Sequence, residues 1–314
     1  MPLPFALRWI NLWLLDDGDG YVLIDSGLPD APTRALWEQL LVGPMAGRRI
    51  KRLIVTHMHP DHVGLAGWLA ERFSCPLLMS RLEYTTCRML VGDSLRPAPA
   101  AAVEFYRRAG WDAPALEQYR TSFGEFGSNV AQLPESFQRL CEGDSLDIGG
   151  MPWRIVTGNG HSPEHACLWQ ETLGVLISGD QVLPRISSNV SVFPTEPEAD
   201  PLSDWLRSCN RLAELIPADT LVLPAHNEPF VGVHARLEAL VEGHERTMLR
   251  LLRRLSREEC RAVDLFGAMF ARSIGRELLH MATGETLAHL NCLMRRGAIT
   301  RRPDSAGVYL YKSC

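Results

Sequence analysis

The sequence predicts a layered α/β protein, because strand-like and helix-like patterns alternate along most of its length. Two apolar, β-favouring runs at residues 9–15 and 21–24 flank a turn rich in Asp and Gly, which predicts an opening β-hairpin. Residues 31–41 have helical spacing, and a short buried strand at 52–55 leads into another helical stretch at 63–73. Later strand-like runs, each ending near a His or Asp, occupy residues 153–156, 167–169, 175–178 and 221–223.

Two regions depart from this alternation. Residues 84–140 consist of helical pieces separated by prolines and are too long for a simple loop, so we interpret them as an inserted helical cap. From Thr247 onward the chain is helical and Arg-rich, and it finishes with an apparent β-hairpin around residues 304–307. We therefore predict a main domain over residues 1–240 and a small, mainly helical domain over residues 241–314.

The composition is that of an ordinary soluble globular protein, with 46% hydrophobic and 22% charged residues among 314. A net charge of -5 argues against a surface that binds polyanions over the whole molecule. Residues 240–314 are the basic region, with 13 Lys and Arg against 8 Asp and Glu.

Several features predict a cytoplasmic protein that does not enter a membrane. The eight cysteines are scattered without a C-x-x-C pair, which indicates free thiols in a reducing compartment. The short apolar N-terminus runs directly into Asp16 and Asp17, which is not typical of a signal peptide. No stretch of the sequence has the apolar length needed to cross a bilayer.

Three histidines and an aspartate follow the strand at 52–55 within six positions, in the order His57, His59, Asp61 and His62. In extended backbone, residues two apart point to the same side, so His57 and His59 can bind one ion. The turn imposed by Pro60 then directs Asp61 and His62 toward a second ion nearby. Imidazole and carboxylate ligands suit zinc, iron or manganese. The alternative, that these are ordinary core or surface histidines, would require the pattern to have arisen by chance.

This H-x-H-x-D-H pattern resembles the signature of the metallo-β-lactamase superfamily. Three later elements extend the resemblance in the expected order, over roughly residues 10–229. Gly160-His161-Ser162-Pro163 resembles the second ligand element, Ser178-Gly179-Asp180 the bridging aspartate, and Pro224-Ala225-His226 the last histidine.

The resemblance implies a four-layer αβ/βα sandwich, in which two mixed sheets pack face to face with helices outside and metals at one edge. His57, His59 and His161 would hold the first metal ion, Asp61, His62 and His226 the second, and Asp180 would bridge both. We expect two divalent ions, zinc first, with iron or manganese as alternatives. The implied chemistry is hydrolysis by a metal-bound hydroxide, with Asp61 as a catalytic residue that orients the hydroxide and shuttles its proton.

Three further residues have weaker signals. Asp25, at the end of the second strand, resembles the family's acid beneath the site and would orient a ligand histidine, or else be a structural cap. His165 would support a metal ligand from behind or contact the substrate, or else be an ordinary loop histidine. Arg185, in the segment 183–197 that should line the pocket, would suit an organic acid or a coenzyme A thioester, or would be a surface residue. We expect the remaining four histidines to lie on helices and on the surface, namely His234, His244, His280 and His289.

The resemblance also bears on the substrate. Antibiotic-cleaving members of the family have a cysteine in place of Asp180 or lack the bridging acid, so Asp180 argues against β-lactam cleavage. Our leading interpretation is a hydrolase of a small-molecule acyl substrate, first a thioester and then a lactone or other ester. Substrate choice would depend on the cap and loops.

Two alternatives remain open at this stage. The tail resembles the winged-helix-like domain appended to some superfamily members, including ones that cut RNA. Several of its arginines fall at roughly helical spacing, namely Arg250, Arg253, Arg254, Arg257 and Arg261. Glu258 and Glu259 interrupt this stripe, and the same arginines could instead pack against the main domain. The other alternative is a non-catalytic protein that binds metal or senses a ligand.

Overall fold

A computed structural model describes residues 1–4 and 6–314 of the chain. Its β-strands form two five-stranded sheets and one terminal hairpin. The first sheet contains, in order across it, β1 (Trp13–Asp17), β2 (Gly20–Ile24), β3 (Arg49–Ile54), β4 (Leu77–Ser80) and β5 (Gln138–Leu140). The second sheet contains β6 (Ser145–Ile148), β7 (Met151–Gly158), β8 (His165–Gln170), β9 (Val175–Gly179) and β10 (Leu221–Pro224), again as neighbours in this order. β11 (Ile299–Pro303) and β12 (Tyr309–Ser313) form the hairpin.

The helices mostly follow or connect these strands. They are α1 (Ala31–Val42), α2 (Pro60–Val63), α3 (Ala66–Phe73), α4 (Arg81–Gly92), α5 (Ala100–Ala109), α6 (Ala113–Ser122), α7 (Pro201–Leu215), α8 (Val233–Leu255), α9 (Phe266–Met269) and α10 (Leu279–Arg295). The side chain of Asp30 caps α1 by accepting a hydrogen bond from the backbone N–H of Thr33. Asp112 and Asp200 cap α6 and α7 in the same way, each followed by a proline in the first turn.

The two sheets pack face to face through an apolar core. Val22, Ile24 and Ile54 of the first sheet belong to the same buried cluster as Ile155 and Leu168 of the second. Alternate residues of each strand face the helices instead, because successive side chains of a strand point to opposite sides. On the outer face of the first sheet, these residues pack with α1, α3 and α4. This arrangement confirms the predicted α/β sandwich.

The second sheet shares its outer core with the C-terminal helices. One continuous buried cluster contains Leu176 of β9, Trp205 of α7, Leu251 of α8, Leu290 of α10 and Tyr311 of β12. α8 runs without interruption through residues 240 and 241, where we placed the domain boundary. The division into two domains therefore stays a prediction, while the apolar contacts show that the C-terminal region packs against the sandwich.

Most elements lie where the sequence predicted them, including the first hairpin, the helix at 31–42 and the final hairpin. Four elements were not predicted from the sequence, namely β4, β5, β6 and α7. The three strands have only three or four residues each, so their periodicity is too short to recognise. α7 does show a helix start signal, since Asp200 and Pro201 precede apolar residues at helical spacing. In the described part of the chain, no helix is long and apolar enough to span a membrane.

Candidate metal centre

The predicted ligands converge at one edge of the sandwich, where several strands end. β2 and β3 are parallel neighbours, and their carboxyl ends lead into Asp25 and into residues 56–62. In the second sheet, β7, β9 and β10 run in one direction, because β8 is antiparallel to both β7 and β9 and β10 is parallel to β9. The loops after these three strands carry His161, Asp180 and His226.

Three imidazoles form a first group of possible metal ligands. Nε2 of His57 lies 2.9 Å from Nδ1 of His59 and 3.2 Å from Nε2 of His161, and the last two nitrogens are 3.1 Å apart. Tetrahedral ligands at a zinc–nitrogen length of about 2.0–2.1 Å would stand roughly 3.3 Å from one another. The three nitrogens therefore have nearly the spacing that one metal ion needs.

Asp61, His62 and His226 form a second group, and Asp180 lies between the two groups. Nε2 of His226 is 3.4 Å from Oδ2 of Asp61 and 3.4 Å from Oδ1 of Asp180. Nε2 of His62 is 3.5 Å from the same Oδ1 of Asp180. The other oxygen, Oδ2, faces Nε2 of His161 at 3.5 Å. Asp180 thus offers one oxygen to each group, as a carboxylate shared by two ions would.

The hydrogen bonds around the cluster leave its inward-facing atoms available. Nδ1 of His161 and Nδ1 of His226 lie 2.7 and 3.1 Å from backbone carbonyl oxygens, to which they donate. Because a carbonyl can only accept, Nδ1 of each ring carries a proton, and Nε2 has its lone pair available for the cluster whenever the ring is neutral. Nε2 of His62 and Oδ1 of Asp180 are buried and lack a hydrogen-bond partner among the described residues. Such orphaned atoms are rare in folded proteins, and the donor set fits divalent metal ions.

The pKa values of the histidines differ between the two groups of ligands. Burial lowers the pKa of His59 to about 3, and burial with the neighbouring imidazoles lowers the pKa of His57 well below its ordinary value. Both rings are therefore neutral at pH 7, which is the form that binds metal. Burial also lowers the pKa of His226, but the nearby carboxylates of Asp180 and Asp61 outweigh burial and raise this pKa to about 10. Metal binding at the second group would displace that proton.

Asp25 lies beneath the cluster and holds one of its histidines. Its Oδ2 is 2.8 Å from Nδ1 of His62, and its Oδ1 accepts a hydrogen bond of 2.8 Å from the backbone N–H of Thr56. The hydroxyl of Thr56 donates to Oδ2 at 2.9 Å. Since Asp25 engages Nδ1 of His62, Nε2 is directed toward the second group.

His165 is fully buried behind the ligands. Its Nε2 accepts a hydrogen bond of 3.1 Å from the backbone N–H of Asp180. Gly179, with a φ of +50°, permits this close approach, because a Cβ there would lie 2.5 Å from Nε2 of His165. Of the two roles that the sequence suggested, this position is compatible with support of a ligand loop and keeps the ring away from substrate.

Glu83, which was not predicted from the sequence, holds two ligand loops together. This fully buried side chain on α4 accepts hydrogen bonds from the backbone N–H of Met58 at 2.9 Å and of Glu164 at 2.8 Å. Met58 lies between His57 and His59, and Glu164 follows His161 by three residues. Burial raises the pKa of Glu83. A single acid within a helical stretch gives no signal in the sequence, because its partners are backbone groups distant along the chain.

A cavity of about 1520 Å³ opens beside the first metal group, where Met58 and His161 line it. The region between α4 and β5 supplies an aromatic wall consisting of Tyr106, Trp111, Tyr119, Phe123 and Phe126. Within that wall the rings of Tyr106 and Trp111 stack at a centroid distance of 4.2 Å. Phe193, from the segment before α7, lines the cavity from another side.

Arg185 does not line the large cavity beside the metal centre. It is exposed and forms an ion pair of 3.0 Å with Glu228. Among the described residues, it lines a second and smaller cavity of about 240 Å³, together with Arg236 and His244. The structure therefore brings the seven predicted ligands, Asp25 and His165 together and leaves Arg185 outside this assembly.

Comparison with known proteins agrees with this geometry. The family model of the metallo-beta-lactamase superfamily matches residues 10–226, which is more than half of the chain. The chain belongs to the metallo-beta-lactamase superfamily. A second model, that of the metallo-beta-lactamase-like C-terminal domain, matches residues 248–314.

Relatives in this superfamily cover nearly the whole chain. The crystal structure of a beta-lactamase domain protein from Burkholderia ambifaria is 39% identical, covers 100% of this chain and 91% of that one, and has a TM-score of 0.91. A probable metallo-hydrolase of Bacillus subtilis is 28% identical over 98% of this chain and 95% of its own length. A more distant relative, 23% identical over 85% of this chain and 67% of its own length, is an atrochrysone carboxyl ACP thioesterase from Aspergillus fumigatus. The chain is thus a metallo-hydrolase of the metallo-beta-lactamase superfamily, whose members bind divalent metals.

Proposed function

We propose that the protein is a dinuclear metal-dependent hydrolase of thioesters whose acyl part is bulky and apolar. The observation that carries this proposal is the large cavity with an aromatic wall that opens beside His161. Ligand pockets are typically apolar concavities with a few polar groups at the reacting end. Here His161 brings the metal cluster to one side of the cavity, and the helical region between α4 and β5 supplies its aromatic wall.

The seven clustered residues would hold two divalent ions, most simply zinc. His57, His59 and His161 would bind one ion, Asp61, His62 and His226 the other, and Asp180 both. When bound, such ions lower the pKa of a water molecule toward neutrality and polarise the bond to be cleaved. The protein's own contribution is to fix these side chains, through Asp25 below His62 and through backbone carbonyls behind His161 and His226.

Asp61 is the acid that we assign to proton transfer. Its side chain keeps 17% of its surface accessible, more than the 11% of Asp180. Its Oδ2 lies 3.4 Å from Nε2 of His226. Burial raises the pKa of Asp61, but the neighbouring imidazoles of His62 and His226 outweigh burial and hold this pKa below its ordinary value, so Asp61 is an ionised proton acceptor at neutral pH.

Two features support a thioester with a charged carrier. The related protein from Aspergillus fumigatus is named as a thioesterase that acts on an acyl carrier protein. In this chain, the exposed side chains of Arg276 and Arg295 line the same cavity as the aromatic wall. Guanidinium groups bind phosphate well, and the carriers of biological thioesters contain phosphates. The aromatic wall is complementary to an apolar acyl group. The phosphates of the carrier would have to reach Arg276 and Arg295 past the acidic residues that also line the cavity, such as Glu196 and Glu277.

A series of acyl-coenzyme A substrates tests this proposal. We expect the metal-loaded protein to hydrolyse them with a kcat/KM that rises from acetyl to hexanoyl to phenylacetyl thioesters. Trp111→Ala should weaken the preference for the bulky groups, whereas Leu173→Ala, on an exposed turn, serves as the matched control. Turnover of oxygen esters or lactones alone, or a preference for acetyl, would overturn the proposal.

The contacts of the tail arginines do not favour the ribonuclease alternative. α8 ends at Leu255, so Arg257 and Arg261 lie beyond the helix and the five arginines do not form one helical stripe. Arg254 pairs with Glu258 and Arg261 with Asp264. Arg250 donates to the backbone carbonyl of Ala268 at 2.9 Å. These guanidinium groups are engaged within the chain.

A further inference from the structure

Residues 180–193 connect the metal cluster to the C-terminal helices. The segment begins at Asp180, and the hydroxyl of Ser188 donates back to the carbonyl oxygen of Asp180 at 2.5 Å. One residue later, the carbonyl oxygen of Asn189 accepts the 2.7 Å hydrogen bond from Nδ1 of His161. The same short segment therefore contains one predicted metal ligand, Asp180, and contacts another, His161, through its backbone.

The side chain of Asn189 is fixed from both ends. Its Nδ2 donates to Oε2 of Glu285 on α10 at 2.9 Å, and its Oδ1 accepts from the hydroxyl of Ser191 at 2.5 Å. α10 also approaches the segment through its backbone, where the N–H of Val192 donates to the carbonyl of Gly284 at 3.0 Å. A Cβ at Gly284 would lie 2.8 Å from Cβ of Ser191, so only glycine permits this contact without a shift.

A chain of two histidines holds the segment at a second point. We expected His244 and His289 on helices and on the surface; they lie on α8 and α10, but both are buried. Nδ1 of His289 donates to the carbonyl of Glu285 at 2.8 Å, so its Nε2 accepts from Nδ1 of His244 at 3.1 Å. Nε2 of His244 is then left to accept from the hydroxyl of Ser187 at 3.1 Å. The burial of these two histidines was not predicted, because their hydrogen-bond partners are distant in the sequence.

We infer that Glu285 is a positioning residue for the metal centre, and that it acts through Asn189 on the imidazole of His161. Glu285 fixes the Asn189 side chain, Asn189 sets the position of its own carbonyl, and that carbonyl fixes the orientation and tautomer of His161. Groups that hydrogen-bond a metal ligand in this way commonly contribute 10–100-fold to metal affinity. The C-terminal region would therefore help to build the metal site. This inference rests on the proposed dinuclear metal site and does not depend on which substrate is cleaved.

Metal affinity of the full-length chain tests the inference directly. Zinc binding is measured by competition with a chromophoric chelator, and absorption spectra of the cobalt-substituted protein report the ligand geometry. We expect Glu285→Leu to lower the affinity for one of the two ions by about 10–100-fold and to leave the affinity for the other ion unchanged. Glu285→Gln keeps an oxygen that accepts from Asn189 Nδ2, so it should bind both ions within about threefold of the unchanged protein. Thr286→Val is the matched control, because the Thr286 hydroxyl donates within α10 to the carbonyl of Ala282 and has no other hydrogen-bond partner among residues 1–4 and 6–314.

A second variant covers the case in which Glu285→Leu does not fold. Asn189→Ala keeps the carbonyl that faces His161 but loses the contact with Glu285. It should therefore lower the affinity for the same ion by a similar factor. The double variant should be no weaker than either single one, since both remove one interaction. The inference would be overturned if Glu285→Leu and Asn189→Ala bound both ions as tightly as the unchanged protein does. It would also be overturned if Thr286→Val lost as much metal affinity as these two variants. If the unchanged protein binds two ions but cleaves no thioester, the proposed substrate fails and the inference can still be judged from affinity.

Discussion

Oδ2 of Asp25 lies 2.8 Å from Nδ1 of His62, and the backbone of Asp25 holds this contact in a left-handed conformation with a φ of +64°. A non-glycine residue in that region costs on the order of 1 kcal/mol or more, and it persists where surrounding contacts over-determine it. At Asp25 those contacts are the backbone N–H and the hydroxyl of Thr56. A single strained aspartate thus couples the end of β2 to the loop of metal-binding histidines.

Replacement of Asp25 should therefore weaken the metal site. In Asp25→Ala, Nδ1 of His62 and the N–H of Thr56 lose their acceptor, and we expect about a 10–100-fold loss of affinity for the ion at the second group. Chelator competition measures this loss. Asp16→Ala is the control, because Asp16 is an exposed strand residue that pairs with Arg48 away from the site. Unchanged affinity in Asp25→Ala would show that His62 is oriented by other contacts.

The C-terminal helix also gives the protein a specific pH dependence. Burial raises the pKa of Glu285 to about 7, although the hydrogen bond from Asn189 opposes this rise. A carboxyl with a raised pKa in the folded state contributes stability that is present below its unfolded pKa and is lost as the pH rises to about 7. We expect the unfolding free energy to fall by about 3 kcal/mol relative to Glu285→Gln between pH 4.5 and pH 7.

Urea unfolding of both proteins across this range measures the difference. Because the comparison is with Glu285→Gln, titration of other groups, including His244 and His289, largely cancels. A difference that stays constant with pH would mean that Glu285 titrates normally in the folded protein.

Much of the fold and the set of clustered side chains could be predicted from the sequence. His57 to His62 lie close together in the chain, and each later ligand follows a strand-like run, so local patterns were sufficient. Glu83, Asn189 and Glu285 were not predicted, because each acts through backbone groups or side chains far away in the sequence. Such partners are brought together only by tertiary packing, and the periodicity of a single sequence does not predict contacts between distant residues.

A pair of glycines tests the packing around α3, which follows the metal-binding loop. A Cβ at Gly67 would lie 1.8 Å from the carbonyl oxygen of Gln132, so Gly67→Ala must displace backbone. We expect a loss of about 3 kcal/mol or more in urea unfolding, at the upper end for overpacking. Gly243→Ala in α8 meets nothing within 4 Å and should be neutral or stabilise by up to about 1 kcal/mol. Similar effects of the two substitutions would contradict the close packing of α3 against residue 132.

Nucleic-acid binding offers a test of the alternative function. Since Arg254, Arg261 and Arg302 pair with carboxylates of the tail, we expect weak binding to a structured RNA at low salt, with little further change on adding salt. Fluorescence anisotropy of a labelled RNA hairpin measures this. Tight binding that falls steeply between about 50 and 200 mM salt would instead support a role for the tail in RNA recognition.

The measurement that tests the central claim most directly is the metal content of the chain, determined by plasma mass spectrometry after purification without chelator. We predict two divalent ions per chain in the unchanged protein. Asp180→Ala, which removes the carboxylate between the two groups, should hold fewer ions and lose thioester hydrolysis. A chain that binds no metal even after reconstitution with zinc, iron or manganese would contradict the account.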